Sequence, residues 1–274
     1  MKENQAAKSF DPGTQGRKVD EKAFIAPAHQ LDWHAPFGWL KLGWQDYRKV
    51  PRISWTYGLI VFVVSALMTG LAWIAGGWVL LIAALTGFVF VAPLLAFALY
   101  SVSRQLCQGT QPSLRKTLRA IRRPFSNAMV FGLALLIIFL VWARAGSMVH
   151  IFFPVESEPS WTQIGTFLAI GSAVGAVFAG FTFAATAFSL PMLANREVDV
   201  VTAVVSSINA VLRNKRVMVL WAILIVLLTT LGILTGLLGL IVVIPWLGYA
   251  TWHAYRETLD VSAWGTLPVV GRDE

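Results

Sequence analysis

Four long stretches of this chain contain no Asp, Glu, Lys or Arg: Ile53 to Ser103, Pro124 to Ala143, Pro159 to Asn195 and Val217 to Tyr255, of 51, 20, 37 and 39 residues. A bilayer hydrocarbon core is about 30 Å thick, and a helix rising about 1.5 Å per residue needs about 20 apolar residues to cross it. A soluble domain must cover its apolar faces, and 274 residues hold too little polar sequence to cover four such runs. Composition agrees. Hydrophobic residues make up 57% and charged residues 13%, about half the charged quarter usual in soluble domains. The expected fold class is all-α, a polytopic membrane helix bundle.

Turn signals divide the runs into six expected spans. Gly76-Gly77 splits the first into 55–75 and 78–100, joined by a short uncharged hairpin. The third span is 128–150. The fourth, 164–190, is long enough to require tilt or a kink. The last run holds 217–234 and 236–252, with Thr235-Gly236 at the turn. This gives a membrane domain over 33–258, a polar and disordered lead over 1–32 and a short tail over 259–274. No basic segment followed by a short apolar stretch opens the chain, so the first span is expected to act as its own insertion signal. Cys107 is the only cysteine, which excludes an intrachain disulfide.

Orientation follows from the connections. Lys plus Arg number nine before the first span, six in 101–127, four in 191–216 and two after 253, whereas the opposite side holds Arg144 alone. This bias places both termini in the cytoplasm and the chain in an inner (cytoplasmic) membrane. Six spans return the C-terminus to the side of the N-terminus, in agreement.

Amphipathic helices are expected on the cytoplasmic side. Trp33, Phe37, Leu40, Trp44 and Tyr47 recur at steps of four, three, four and three, the stripe of a helix lying on the membrane before Pro51 interrupts it. In the loop after span two, Arg115, Lys116, Arg119, Arg122 and Arg123 fill the positions between Leu114, Leu118, Ile121 and Phe125, with no acid anywhere in 101–127. Cations there meet anionic lipid headgroups, each worth about 1 kcal/mol near the surface, or dock a protein partner. Interleaved aromatic stacking groups are missing, which argues against nucleic acid. After span four, Val201, Val204, Val205, Ile208 and Leu212 form a further apolar stripe, with Glu197 and Asp199 placed to suit a helix N-terminus.

Two groups inside or near the spans are candidates for special roles. Arg144 lies 16 residues after Ala128, about 24 Å along a helix. It is a candidate intramembrane polar site, or else it snorkels to the interface beside Glu156, Glu158 and His150. Gly171, Gly175 and Ala179 form a small-xxx-small ridge suited to close helix packing, within the chain or between copies in a homo-oligomer. The four histidines, His29, His34, His150 and His253, all lie outside the mid-span region, so neither haem nor another metal cofactor is expected. No span carries an acid, and no catalytic constellation is visible.

The segments Pro36-Phe37-Gly38-Trp39-Leu40, Gly43-Trp44-Gln45-Asp46, Pro51 and Tyr57-Gly58-Leu59, together with Pro245-Trp246-Leu247-Gly248-Tyr249-Ala250-Thr251-Trp252-His253-Ala254-Tyr255-Arg256, resemble an uncharacterised family of bacterial six-span integral membrane proteins, a domain of unknown function. The likeness extends over roughly 33–258. It implies the fold and topology and brings no catalytic residues with it. The functional expectation is a non-enzymatic scaffold, assembly or lipid-organising component. A small-molecule transporter or channel is the alternative, and a lipid-directed enzyme the third reading.

Overall fold

A computed structural model describes residues 24–112, 117, 125–152 and 160–267. Helix α1 covers Ala35–Lys49 and α2 Pro51–Cys107. Then come α3 (Phe125–Phe152), α4 (Trp161–Thr186), α5 (Ser189–Asn195), α6 (Val200–Arg213), α7 (Lys215–Leu234) and α8 (Leu240–Thr258). Among the described residues there is no strand, only the isolated bridges Ala28–Leu259 and Arg196–Thr266. The fold is all-α.

Helix α2 is assigned as helical without interruption over 57 residues, about 86 Å of rod at the usual rise. Yet both of its ends pack on α8, which has 19 residues. Ser54 Oγ lies 3.0 Å from Tyr249 Oη, while Leu99 lies against Gly248, the residue before Tyr249. A straight rod would hold Ser54 and Leu99 about 67 Å apart. The segment therefore reverses direction between Gly58 and Leu99. Gly76-Gly77 falls inside that interval, but no coil residue separates the two arms there, as the sequence had suggested. Glycine lowers helix propensity by about 1 kcal/mol without removing its N–H, so it does not break a helix as proline does.

Four segments are long and apolar enough to cross a membrane: Pro51–Ala75, Met129–Gly146, Trp161–Asn195 and Lys215–Leu234. This count, made on the described residues, stops short of the six expected. Helix α8 is of sufficient length, but its C-terminal half is rich in Trp, Tyr, His and Arg. The third of these, Trp161–Asn195, is not one rod. A reciprocal cap starts α4, with Ser160 Oγ accepting from Gln163 N and Ser160 N donating to Gln163 Oε1. The helix then yields at Ala187-Phe188, where Ser207 Oγ accepts from Phe188 N and donates to the Ala184 carbonyl. Helix α5 follows, buried from Ser189 to Ala194.

Burial is concentrated at one end. Phe188, Met192, Trp221, Trp252, Tyr255 and Trp39 belong to one core that joins α5, α7, α8 and α1. Elsewhere the helices carry their largest apolar side chains outward: Leu71 and Ile74 on α2, Leu133 on α3, Val177 on α4 and Leu231 on α7 are all more than half exposed. Such surfaces are stable only in an apolar solvent.

The packed end also gathers the described ends of the chain. Ala26 N donates to Ser206 Oγ, Leu31 N to Asn214 Oδ1 and His29 N to the Thr258 carbonyl. Asn214 Nδ2 in turn donates to the His29 carbonyl. Residues 24–32, expected as part of a disordered lead, are thus pinned across α6 and α8 by hydrogen bonds, with Ala26 buried in the core and Ala28 and Leu31 packed against it. After α8 the chain returns to the α5–α6 connection, with Glu197 N donating to the Gly265 carbonyl and Leu267 N to the Asn195 carbonyl.

Candidate functional site

The most elaborate cluster of polar side chains lies where α1 crosses α8. Helix α1 follows directly on Asp32 and His34, with Pro36 in its first turn, where a missing N–H is harmless. Its buried positions are Pro36, Trp39, Gly43, Asp46 and Tyr47, spaced as one helical face. Close approach is possible because residue 43 is glycine: a Cβ there would stand 2.6 Å from Ala250 N. Around that crossing Trp39 Nε1 donates to Glu257 Oε2 at 2.7 Å. The Trp39 ring meets Trp221 edge-on, with centroids 5.4 Å apart. Trp246 Nε1 donates to the Leu40 carbonyl at 2.8 Å.

An acid and an imidazole meet at the centre. Asp46 Oδ2 lies 2.8 Å from His253 Nε2, and Lys49 Nζ reaches Asp46 Oδ1 at 3.4 Å. Asp46 is buried, so these partners compensate the water its carboxylate has lost. The nearby Ser54 hydroxyl is engaged with the Tyr47 and Val50 carbonyls and with Tyr249 Oη. The Tyr47 hydroxyl and the Trp252 indole N–H are buried without a hydrogen-bond partner among the described residues. Burial raises the Tyr47 pKa above the ordinary tyrosine value. Among the described residues no group of three or more His, Cys, Asp or Glu could hold a metal ion.

A second polar region lies at the α5–α6 connection. Arg104, at the end of α2, is buried and donates from Nη1 to the Ala194 carbonyl at 3.0 Å, while its Nε has no partner among the described residues. Arg196 Nη1 donates to the Trp264 carbonyl at 2.8 Å. Beside it opens a cavity of about 380 Å³, lined by Asn127, Leu193, Arg196, Glu197, Asp199 and Leu267 among others. Asp199 caps α6, its Oδ1 accepting from Thr202 N at 2.9 Å. The hydrogen bonds with Thr202 hold its carboxyl below the ordinary value.

The residues singled out by sequence lie in separate parts of the chain. Arg115, Lys116, Arg119, Arg122 and Arg123 lie outside the described residues, as do Glu156 and Glu158. Arg144 is exposed on α3, with no ion pair among the described residues. The ridge of Gly171, Gly175 and Ala179 is no helix contact within the described chain: a Cβ on either glycine would meet nothing within 4 Å, and Ala179 is exposed. Intramolecular packing instead uses Gly43, Gly58, Gly232 and Gly248, each facing a neighbouring helix or turn. The Val201–Leu212 stripe is turned away only at its ends, since Val204 packs against the core. Helix α6 buries Thr202, Ala203, Ser206, Ser207 and Ala210 and leaves Val201 and Leu212 exposed. The Asp46–His253 pair escaped sequence reasoning because its members are 207 residues apart. The one local signal was an acid on an otherwise basic and aromatic helix.

Residues 80–195 match the model of a family described as a predicted integral membrane protein (DUF2189). A search of curated proteins and a search of solved structures each returned no match. The match covers the middle of the chain, whereas the expected likeness was drawn from segments on either side of it. With the apolar surfaces of α2, α3, α4 and α7, it shows an integral membrane protein whose central segment is similar to DUF2189, a domain of unknown function.

Proposed function

We propose that this protein is a non-enzymatic membrane scaffold, a component that assists assembly or organises lipid, with both termini in the cytoplasm. The observation that carries this reading is the division of the molecule. Its packing is concentrated where α8 meets α1, α5 and both ends of α2, while α3, α4, α7 and the Leu59–Ile74 stretch of α2 present apolar faces largely uncovered by the described residues. Faces of this kind suit lipid or the spans of other proteins, and a rigid end holds them at fixed separations. The excess of Lys and Arg on the connections supports the cytoplasmic placement.

The test is recovery of the full chain in mild detergent, followed by mass spectrometry of what accompanies it. A scaffold is expected to return with the same protein partner or lipid class in repeated preparations. Repeated recovery with neither would overturn the proposal. Substrate flux into vesicles containing only this protein would favour the transporter reading instead.

A further inference from the structure

We infer that the outward face of α1, with the start of α2, is a binding site for anionic phospholipid headgroups. The inference rests on the membrane-scaffold reading and narrows it to one lipid class. Phe37, Lys41, Trp44 and Arg48 succeed one another at steps of four, three and four, which places them within about 60° of arc on the helix. All four are exposed. The stripe alternates ring and cation along its length. Arg52 and Trp55, both exposed, continue the same pairing where α2 begins and its exposed apolar face opens.

Aromatic rings settle at the level of the headgroups and glycerol, and cations beside them meet phosphate oxygens. Charge complementarity selects the occupant. The one acid of α1 is Asp46, which is buried and held by His253 and Lys49, so no carboxylate on this helix opposes a phosphate. The opposite face is already committed to α8 through Gly43, Trp39 and Tyr47, which fixes the orientation of the stripe. Trp44 is braced from behind, stacked on Tyr47 at 5.2 Å and edge-on to Trp246 at 5.4 Å. A ring held in this way loses little freedom when a lipid arrives.

The experiment titrates the full-length protein in detergent with phosphatidylglycerol and with phosphatidylcholine of the same acyl chains, reading bound lipid by native mass spectrometry. At about 1 kcal/mol per cation near an anionic surface, phosphatidylglycerol is expected to bind at least about tenfold more tightly. The variant K41Q/R48Q/R52Q should lose most of that preference, with phosphatidylcholine binding unchanged. A second variant, R213Q/K215Q/R216Q, removes the same charge from the α6–α7 junction and should retain the preference. Equal binding of the two lipids by the native protein overturns the inference, as does an equal loss in both variants, which would assign the effect to net charge. Partner recovery reads the scaffold proposal separately, so the two can fail independently.

Discussion

Glycine serves two opposite purposes on these helices, and substitution to alanine separates them. At Gly58 an added Cβ would collide with the Ile241 carbonyl, and at Gly43 it would stand 2.6 Å from Ala250 N. Backbone cannot move aside as a flexible side chain can. Gly58→Ala is therefore expected to destabilise by at least about 1–3 kcal/mol, the range for overpacking. Gly171→Ala meets open space and gains helix propensity, up to about 1 kcal/mol. Thermal unfolding in detergent should show the first variant well below the native protein and the second at or above it. The ridge that sequence offered for packing within the chain or between copies makes no contact among the described residues, and the reason it stood out is physical. A ridge such as Gly171, Gly175 and Ala179 repeats along one helix and is visible in one dimension. Gly43 and Gly58 each meet a single backbone crossing, and the other half of that contact, at Ala250 or Ile241, lies near the far end of the chain.

Helix α6 shows what pattern reading can and cannot recover about an element. Its start was legible, because Asp199 stands just before a run of helical spacing and caps it through Thr202. Its facing was not. In water an apolar stripe turns inward, but in a bilayer Val201 and Leu212 find a suitable solvent outside, and the helix packs through Ser206, Ser207 and Ala210. Asp199→Ala should destabilise by about 1 kcal/mol. The native carboxyl titrates below its ordinary value of 3.8, so the unfolded chain binds more protons over that window. The capping contribution is thus fully present above pH 3.8 and disappears as pH falls through the lower native value. Stability measured against pH should converge for native and Asp199→Ala proteins on the acid side. A second element was missed, the strap of residues 24–32. Its anchor, Asn214, both accepts from Leu31 N and donates to the His29 carbonyl. Asn214→Ala leaves both groups unpaired, at about 1–3 kcal/mol. Limited proteolysis should then cut near residue 30 faster than in the native protein.

For the whole molecule, the readable part was the solvent. Charge-free runs in the sequence became the exposed apolar faces of α2, α3, α4 and α7, which the described residues leave largely uncovered. The connections at the packed end were unreadable in advance, since they depend on backbone hydrogen bonds between the two ends of the chain, which leave no periodic trace. Orientation in the bilayer can be tested with a residue the protein already has. Cys107 is the only cysteine and is exposed just before the connection to α3. Helix α3 has 28 residues, about 42 Å of length, enough to carry the chain from one face of a bilayer to the other before α4 begins at Trp161. Trp161 is 89% exposed, so a thiol placed there is open to reagent. A membrane-impermeant maleimide added to intact cells should therefore leave Cys107 unmodified and label it only after permeabilisation. The Trp161→Cys variant in a Cys107→Ser background should react in intact cells. Labelling of both positions from the same side would mean that α3 does not cross the membrane, and the scaffold proposal would lose the frame on which its apolar faces are arranged.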